Sequence, residues 1–387
     1  MALLNLVRRR LRFAPQLVAA LIAALAVTTP ASAGADQPPG TGGIVDPMDH
    51  TALDRPDTHP ARLRDTGTLA FVYRNGDFRP LRPVRDAESA FHLGINDSRQ
   101  TVGTYVDDGA VVGPEGYYPP EAIHGFIQDW RGRVTTIDVP GGDNEFPEAG
   151  INERGQVAGV YIDAGAVPDP DGVFPPRGSV HGFIRDPRGR ITTFDVPAPR
   201  MHAVTDINDH GQVVGYIDES FTTGSGFLRD PDGAITRIEV PGASYTEPRG
   251  ITNRGQIVGS YQVGDRNPDG SIAPGKVHGF VWDHGRITTF DVPDSTLTVP
   301  THINNRGHIT GGYRDADGKQ HGFILRRGRY VTIDAPGRTD NIAWGINDRG
   351  DIIIPEPGIS IGEVAGAGAS PRPSTRQPAT SPRTQLR

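Results

Sequence analysis

The chain has 387 residues, no cysteine, 50 glycines and 35 prolines, with hydrophobic residues making up 36% of it and a formal net charge of -7. The lack of cysteine excludes a disulfide scaffold, thiol catalysis and Cys-ligated zinc, and the acidic balance gives the surface no electrostatic reason to hold nucleic acid. Abundant Gly and Pro beside modest hydrophobicity fit many short strands joined by turns, and do not fit a helical protein.

The first segment reads as an export leader. MALLNLVRRRLRF supplies a basic start, LVAALIAALAV an apolar core, and Ala31-Ser32-Ala33 a small-residue cleavage site, so residues 1–33 are expected to be a signal peptide. That apolar core is too short for a stable transmembrane helix, and no later stretch reaches its length, so no membrane span is expected. Arg8-Arg9-Arg10-Leu11 also resembles a twin-arginine signal, which is the alternative export route. Residues 34–66 carry Asp, Pro and Thr with little periodicity and read as a linker or capping segment.

From residue 67 to about 355 the chain repeats itself. One phrase is HGFIQDWRGRVTTIDVPGG at His124, with copies at His181, His278 and His321 and a weaker one at Ser225; LAFVYRNGDF at Leu69 takes its place at the start. A second phrase alternates with it: LGINDSRQTVGTY at Leu93, AGINERGQVAGVY at Ala149, and further copies reading TDIN, RGITN, HINN and WGIN. Its isoleucines, Ile95, Ile151, Ile207, Ile251, Ile303 and Ile346, are separated by 56, 56, 44, 52 and 43 residues. The minimal unit is therefore about 43 residues, and the longer units carry insertions.

Each unit reads as four short strands: the HGF run, an alternating ITTFDV run, the GIN run and the QVAGVY run, with Gly-bearing turns between them. Four strands in so few residues cannot bury both faces alone. Stacked around an axis they bury Phe126, Phe183, Phe227, Phe280 and Phe323 between neighbours. The expectation is an all-β fold, a β-propeller of six four-stranded blades plus loop insertions.

The paired phrases HGFI…TTFDVPG and GINxRGQIVGxY also resemble the HAF repeat family of extracellular bacterial proteins, over nearly all of residues 69–355. The resemblance implies an exterior location and a repeat architecture. It implies no catalytic residues.

Three units carry long segments between the Tyr of one phrase and the next HGF: 106–123, 162–180 and 262–277. Read as connections between blades, they emerge on one face, where insertions often build a binding surface. GYYPP at Gly116 and GVFPP at Gly172 set Tyr117, Tyr118 and Phe174 beside rigid prolines, as flat platforms on which a sugar or peptide can stack. The third segment contains DRNPDG, where Asp265, Asn267 and Asp269 have the alternate spacing of a calcium loop; Lys276 stands where that loop needs a bidentate Glu, which counts against the ion.

The repeated His124, His181, His278 and His321 are each followed thirteen or fourteen residues later by Asp138, Asp195, Asp291 or Asp334. A residue repeated in every blade usually has the same structural job in each, so a His–Asp staple is expected ahead of a metal ring. Catalytic candidates should instead break the repeat. His302, which replaces a glycine, and the carboxylates Glu145 and Glu148 are those candidates for glycoside chemistry. There is no nucleophile motif, phosphate loop or HExxH spacing. The 356–387 tail is rich in Pro, Ser and Thr and is expected to be disordered. The sequence therefore points to a secreted, monomeric propeller that binds an extracellular polysaccharide or protein, with a polysaccharide-degrading propeller enzyme as the alternative.

Overall fold

The computed structural model describes residues 70–111, 119–147, 150–166, 176, 178–198, 201–220, 223–264, 277–338 and 340–356. The leader, the 34–66 segment, nearly all of the tail, Tyr117, Tyr118, Phe174, Asp265, Asn267, Asp269 and Glu148 lie outside them. Apart from one 3-10 turn at Pro120–Ala122, the described elements are all strands. No helix among the described residues is long and apolar enough to cross a membrane.

The strands form a propeller of small antiparallel sheets. The first unit contains Ala87–Ile95, Thr101–Asp107, Ile123–Gln128 and Val134–Ile137, paired in that order. The second contains Gly142–Phe146, Val157–Asp163, Val180–Arg185 and Ile191–Phe194, and the third Met201–Ile207, Val213–Asp218, Gly224–Arg229 and Ile235–Ile238. Tyr245–Ile251, Ile257–Gln262, Val277–Asp283 and Arg286–Phe290 make the fourth, whose sheet joins that of the third through the single parallel pair Gly224–Tyr245. Leu297–Ile303, Ile309–Arg314, Gln320–Arg326 and Arg329–Ile333 make the fifth. The sixth joins the two ends of the chain: Ile352–Ile354 pairs with Phe71–Arg74, which pairs with Asp77–Pro80, and the bridge Ile346–Ile352 extends it inward.

This pairing corrects the reading frame of the repeat. A sheet begins with the GIN strand, continues with the QVAGVY strand, and finishes with the HGF and ITTF strands. The written unit, which starts at HGF, straddles two sheets. The frame is set by where the chain ends meet, and this long-range contact leaves no local trace in the phrases. The long segments shift accordingly. They connect the second and third strands of a single unit rather than two units, at 108–122, 164–179 and 263–276.

The repeated phenylalanines do what their spacing suggests. Phe126, Phe183, Phe227, Phe280 and Phe323 are all 0% exposed. Their packing crosses sheet boundaries: Phe183 of the second unit packs with Val102, Ile127 and Ile137 of the first, and Phe280 of the fourth with Val214 and Ile238 of the third. Facing each of these phenylalanines is a glycine: Gly103, Gly159, Gly215, Gly259 or Gly311. A Cβ there would lie 1.8–2.3 Å from a carbonyl oxygen of the first strand. The first strand bulges next to that contact in every one of these units. Glycine in the second strand therefore brings the two innermost strands together close to the axis.

The fold has two distinct faces. Turns between the first and second strands, and between the third and fourth, lie on one face. The strand ends from which the long connections leave, and the sheet-to-sheet links, lie on the other.

Candidate functional site

On the turn face, the first turn of every unit contributes to a ring around the axis. The Asn96 amide donates to the Asn152 carbonyl (3.2 Å), Asn152 to the Asn208 carbonyl (2.9 Å), Asn208 to the Thr252 carbonyl (3.1 Å), Asn304 to the Asn347 carbonyl (2.8 Å) and Asn347 back to the Asn96 carbonyl (3.1 Å). The step out of the fourth unit has no such amide because Thr252 stands there. A second circle runs beside the first. The N–H groups of Asp97, Glu153, Asp209, Asn253, Asn305 and Arg349 donate, in that order, to the side chains of Glu153, Asp209, Asn253, Asn305, Asp348 and Asp97. Four carboxylates thus crowd one mouth. Burial is the main reason the Glu153 carboxyl is pushed up to about 7, with the charges of Asp97, Asp348 and Asp209 adding to it.

Below this mouth the repeat is broken. Where four units have Gly94, Gly150, Gly250 and Gly345, the third has Asp206 and the fifth His302. Asp206 accepts from the N–H of Ile207 and of Ile251, both at 2.8 Å, and burial pushes its carboxyl up to about 6. His302 Nε2 stands 3.5 Å from the Asp206 carboxylate, and its Nδ1 is 3.1 Å from the Ile303 carbonyl. A nitrogen facing a carbonyl must carry a proton, so Nδ1 donates. The cavity here is only about 40 Å³, room for one or two water molecules.

The repeated histidines lie elsewhere, on the third strand of four units and away from the axis. His181, His278 and His321 sit 2.6, 2.9 and 2.8 Å from Asp195, Asp291 and Asp334, so these staples form. His124 differs: it pairs with Asp107 at 3.2 Å, an aspartate at the end of the second strand. Asp163 and Asp315 make the same second contact with His181 and His321. Each imidazole also lies against a tyrosine of the second strand, Tyr105, Tyr161, Tyr261 or Tyr313, with centroids 5.0–5.3 Å apart. In the third unit, where Ser225 replaces His, Arg237 bonds both Ser225 and Glu219 and approaches Glu239. The staple is kept with its charges rearranged. It is a structural device.

Glu145 is also structural. It is buried, its carboxyl is pushed up to about 7 by that burial, and it accepts the Val139 N–H at 3.2 Å. Thr246, Thr298 and Asn341 capture the N–H of Val240, Val292 and Ala335 in the same way in later units. Among the described residues, no group of three His, Cys, Asp or Glu side chains is arranged to hold a metal ion.

A wider opening lies on the turn face between the first and sixth units. It is a groove of about 560 Å³ lined by Arg74, Asp77, Arg79, Arg82, Arg99 and Trp130 among others. Neither Arg99 nor Trp130 stands out alone in the sequence. The usable signal was that both depart from the repeat: Arg99 stands where the other units have glycine, and Trp130 where two have proline. Asp206 could have been found the same way, as the Asp of TDIN.

No protein-family model matches the chain, and no curated protein matches it. Among solved structures, a protein assigned as TolB from Agrobacterium tumefaciens aligns at 12% identity over 74% of this chain and 97% of that one, with a TM-score of 0.49. The acylaminoacyl peptidase of Pyrococcus horikoshii aligns at 12% identity over 74% of this chain and 44% of its own, with a TM-score of 0.46. The Aleuria aurantia lectin, solved with α-methyl-L-fucoside, aligns at 11% identity over 69% of this chain and 87% of its own, with a TM-score of 0.39. At such identities the likeness extends to the fold alone.

Proposed function

We propose that the protein is a binding module of the cell exterior, a propeller that recognises a glycan, a wall polymer or an extracellular protein through the face carrying its long connections. The observation that supports this most is topological. Connections 108–122, 164–179 and 263–276 all join second to third strands, so they leave the ring on one face, whereas 219–223 and 315–319 close the same step in five residues each. Long loops on a rigid ring are a common way to build a recognition surface. The leader-like first segment and the resemblance to HAF repeats support the exterior location. Tyr117, Tyr118 and Phe174 fall within the first two connections and remain the candidate contacts.

The test is co-sedimentation of the purified chain with bacterial cell walls and insoluble polysaccharides, followed by an assay of the supernatant for new reducing ends. Retention that falls about tenfold in Tyr117→Ala, Tyr118→Ala or Phe174→Ala supports the reading. Loss of retention in none of them, or no retention at all, overturns it.

One observation favours a second reading, an enzyme: the Asp206–His302 pair occurs once and breaks the repeat. Reducing ends released by the parent chain but not by Asp206→Asn would establish it. The small cavity weighs against it, because a sugar ring cannot enter a space of about 40 Å³.

A further inference from the structure

The repeat is broken twice in one place. In five units the first turn ends on a glycine with positive φ: Gly155, Gly211, Gly255, Gly307 and Gly350, at 74–84°. In the first unit that residue is Arg99, which holds φ at 55° although a side chain makes this backbone costly. In three of the other units the residue opposite, Pro187, Pro231 or His284, lies over its glycine, 3.4–3.6 Å from where a Cβ would be. The first unit has Trp130 at that position, 65% exposed. Exchanging a proline lid on glycine for an arginine and an uncovered indole opens the groove at this junction.

We propose that this groove binds a carboxylated oligosaccharide, with Trp130 as the platform for a sugar ring and Arg79 and Arg82 as partners of its carboxylate. This rests on the reading of the protein as an exterior binding module, and adds a site on the face opposite the long connections. The charges support it. Arg74 and Arg99 share a single carboxylate, Asp351, at 3.5 and 3.8 Å. Arg79 and Arg82 have no ion-pair partner among the described residues, and the four guanidiniums of the lining outnumber its carboxylates, Asp77, Asp129 and Asp351, in a protein of net charge -7. Guanidinium forks match a carboxylate in two parallel bonds.

The indole supplies what charge alone does not. Arg131 lies over the Trp130 ring at 4.7 Å and steadies it while the ring stays exposed beside the groove. Asp77, also without an ion-pair partner and exposed, can accept hydroxyl protons from a sugar. An acidic peptide offers carboxylates but few hydroxyl donors for Asp77 and no sugar ring for the indole. The groove volume falls within the usual range of small-molecule sites, roughly 300–1,000 Å³.

The experiment measures binding of the full chain to galacturonate, alginate and hyaluronan oligomers, each beside its carboxyl-reduced counterpart, with poly-glutamate as the peptide probe. The expected result is that at least one carboxylated oligomer binds about tenfold more tightly than its reduced form. Trp130→Ala and the pair Arg79→Ala/Arg82→Ala should each weaken that binding by about tenfold. These side chains are exposed, so unchanged thermal unfolding of the variants verifies their fold. Equal binding of charged and reduced forms overturns the proposal, as do variants that bind like the parent. Poly-glutamate binding as tightly, and independently of Trp130, also overturns it. Wall retention lost in the long-connection variants but intact in Trp130→Ala would remove the groove and leave the loop-face reading standing; the reverse pattern would do the opposite.

Discussion

The side-chain amide of Asn347 donates to the main-chain carbonyl of Asn96 at 3.1 Å, across 251 positions of sequence. This bond carries the ring of amides across the junction where the two ends of the chain meet. Asn347 also accepts the Asp351 N–H at 2.9 Å, so one buried side chain holds both its own turn and the neighbouring sheet. Asn347→Ala would leave the Asp351 N–H without a partner, whereas the Asn96 carbonyl keeps the Arg99 N–H at 2.9 Å. The expected loss is about 1–3 kcal/mol for the one buried group left unsatisfied, read as a lower urea midpoint. Thr252 occupies the equivalent place in the fourth unit, so Asn347→Thr should cost less than Asn347→Ala. If the two substitutions cost the same, the turn bond adds little and the loss lies in the amide donated to Asn96.

The facing glycine and phenylalanine give a second prediction. A methyl group at Gly215 would lie 1.9 Å from the Ala203 carbonyl oxygen and 2.9 Å from the Phe227 ring. Backbone cannot yield as a flexible side chain does, so Gly215→Ala should destabilise by about 1–3 kcal/mol or more. Phe227→Ala should lose about 3–5 kcal/mol by emptying a fully buried site. Equilibrium unfolding of both variants measures this. A glycine substitution without effect would contradict the close approach of the inner strands.

Stability should depend on pH with a predictable sign. The folded-state carboxyls of Glu153 and Glu145 are raised to about 7 and that of Asp206 to about 6, all above their usual values. A raised carboxyl contributes stability that is full below its unfolded pKa and is lost as pH rises through the folded one. His202 acts in the opposite direction. Burial lowers it to about 4, so its contribution is lost as pH falls from about 6.5 toward 4. The two effects oppose each other below about pH 6.5, and above it the carboxyls act together with His181, which is raised, against its burial, by its hydrogen bonds to Asp195 and Asp163. Denaturant midpoints should therefore decline from pH 6.5 to 8. Glu153→Gln keeps an acceptor for the Asp97 N–H and removes the charge, so it should flatten that decline and be more stable than the parent at pH 8. A slope equal to the parent's would rule Glu153 out as its source.

Much of this architecture is legible in the chain, for a physical reason. Phe126, Phe183, Phe227, Phe280 and Phe323 recur because identical neighbours need identical packing, and that need is written locally in each phrase. The frame of the repeat is not local, because it depends on Phe71–Arg74 pairing with Ile352–Ile354. The candidate sites were harder to read for the same reason. His302 is visible as a substituted glycine, but its meaning depends on Asp206, placed beside it by the closing of the ring. Arg99 and Trp130 lie in different turns and meet the sixth unit only in three dimensions. His124 shows the limit from the other side: its sequence partner is Asp138, yet the fold gives it Asp107.

The His–Asp staples should prove weak singly. The His278 and Asp291 side chains are 26% and 48% exposed, and a pair so accessible to water is usually worth about 0–1 kcal/mol. The imidazole also covers the Tyr261 ring, at 5.3 Å between centroids, so part of its value is contact rather than charge. His278→Gln should then lose little more than Asp291→Asn, and both should change stability by less than about 1 kcal/mol. A loss of several kcal/mol from either would mean that the staple holds the sheet together rather than finishing its edge.

Arg99 provides the closing case, because it separates stability from binding. Its left-handed backbone is of the kind that costs a non-glycine residue about 1 kcal/mol or more, and every other unit avoids this with glycine. Its exposed guanidinium makes only a long pairing with Asp351, at 3.8 Å, which recovers little of that cost. Arg99→Gly should therefore raise stability, by up to about 1 kcal/mol, seen as a higher unfolding midpoint. The same substitution removes one of the guanidiniums lining the groove and should weaken binding of a carboxylated oligosaccharide. A variant that is both more stable and a poorer binder would show that the strain is kept for the groove. If it is more stable and binds as before, the arginine is only a departure from the repeat, and Trp130 has to account for the opening alone.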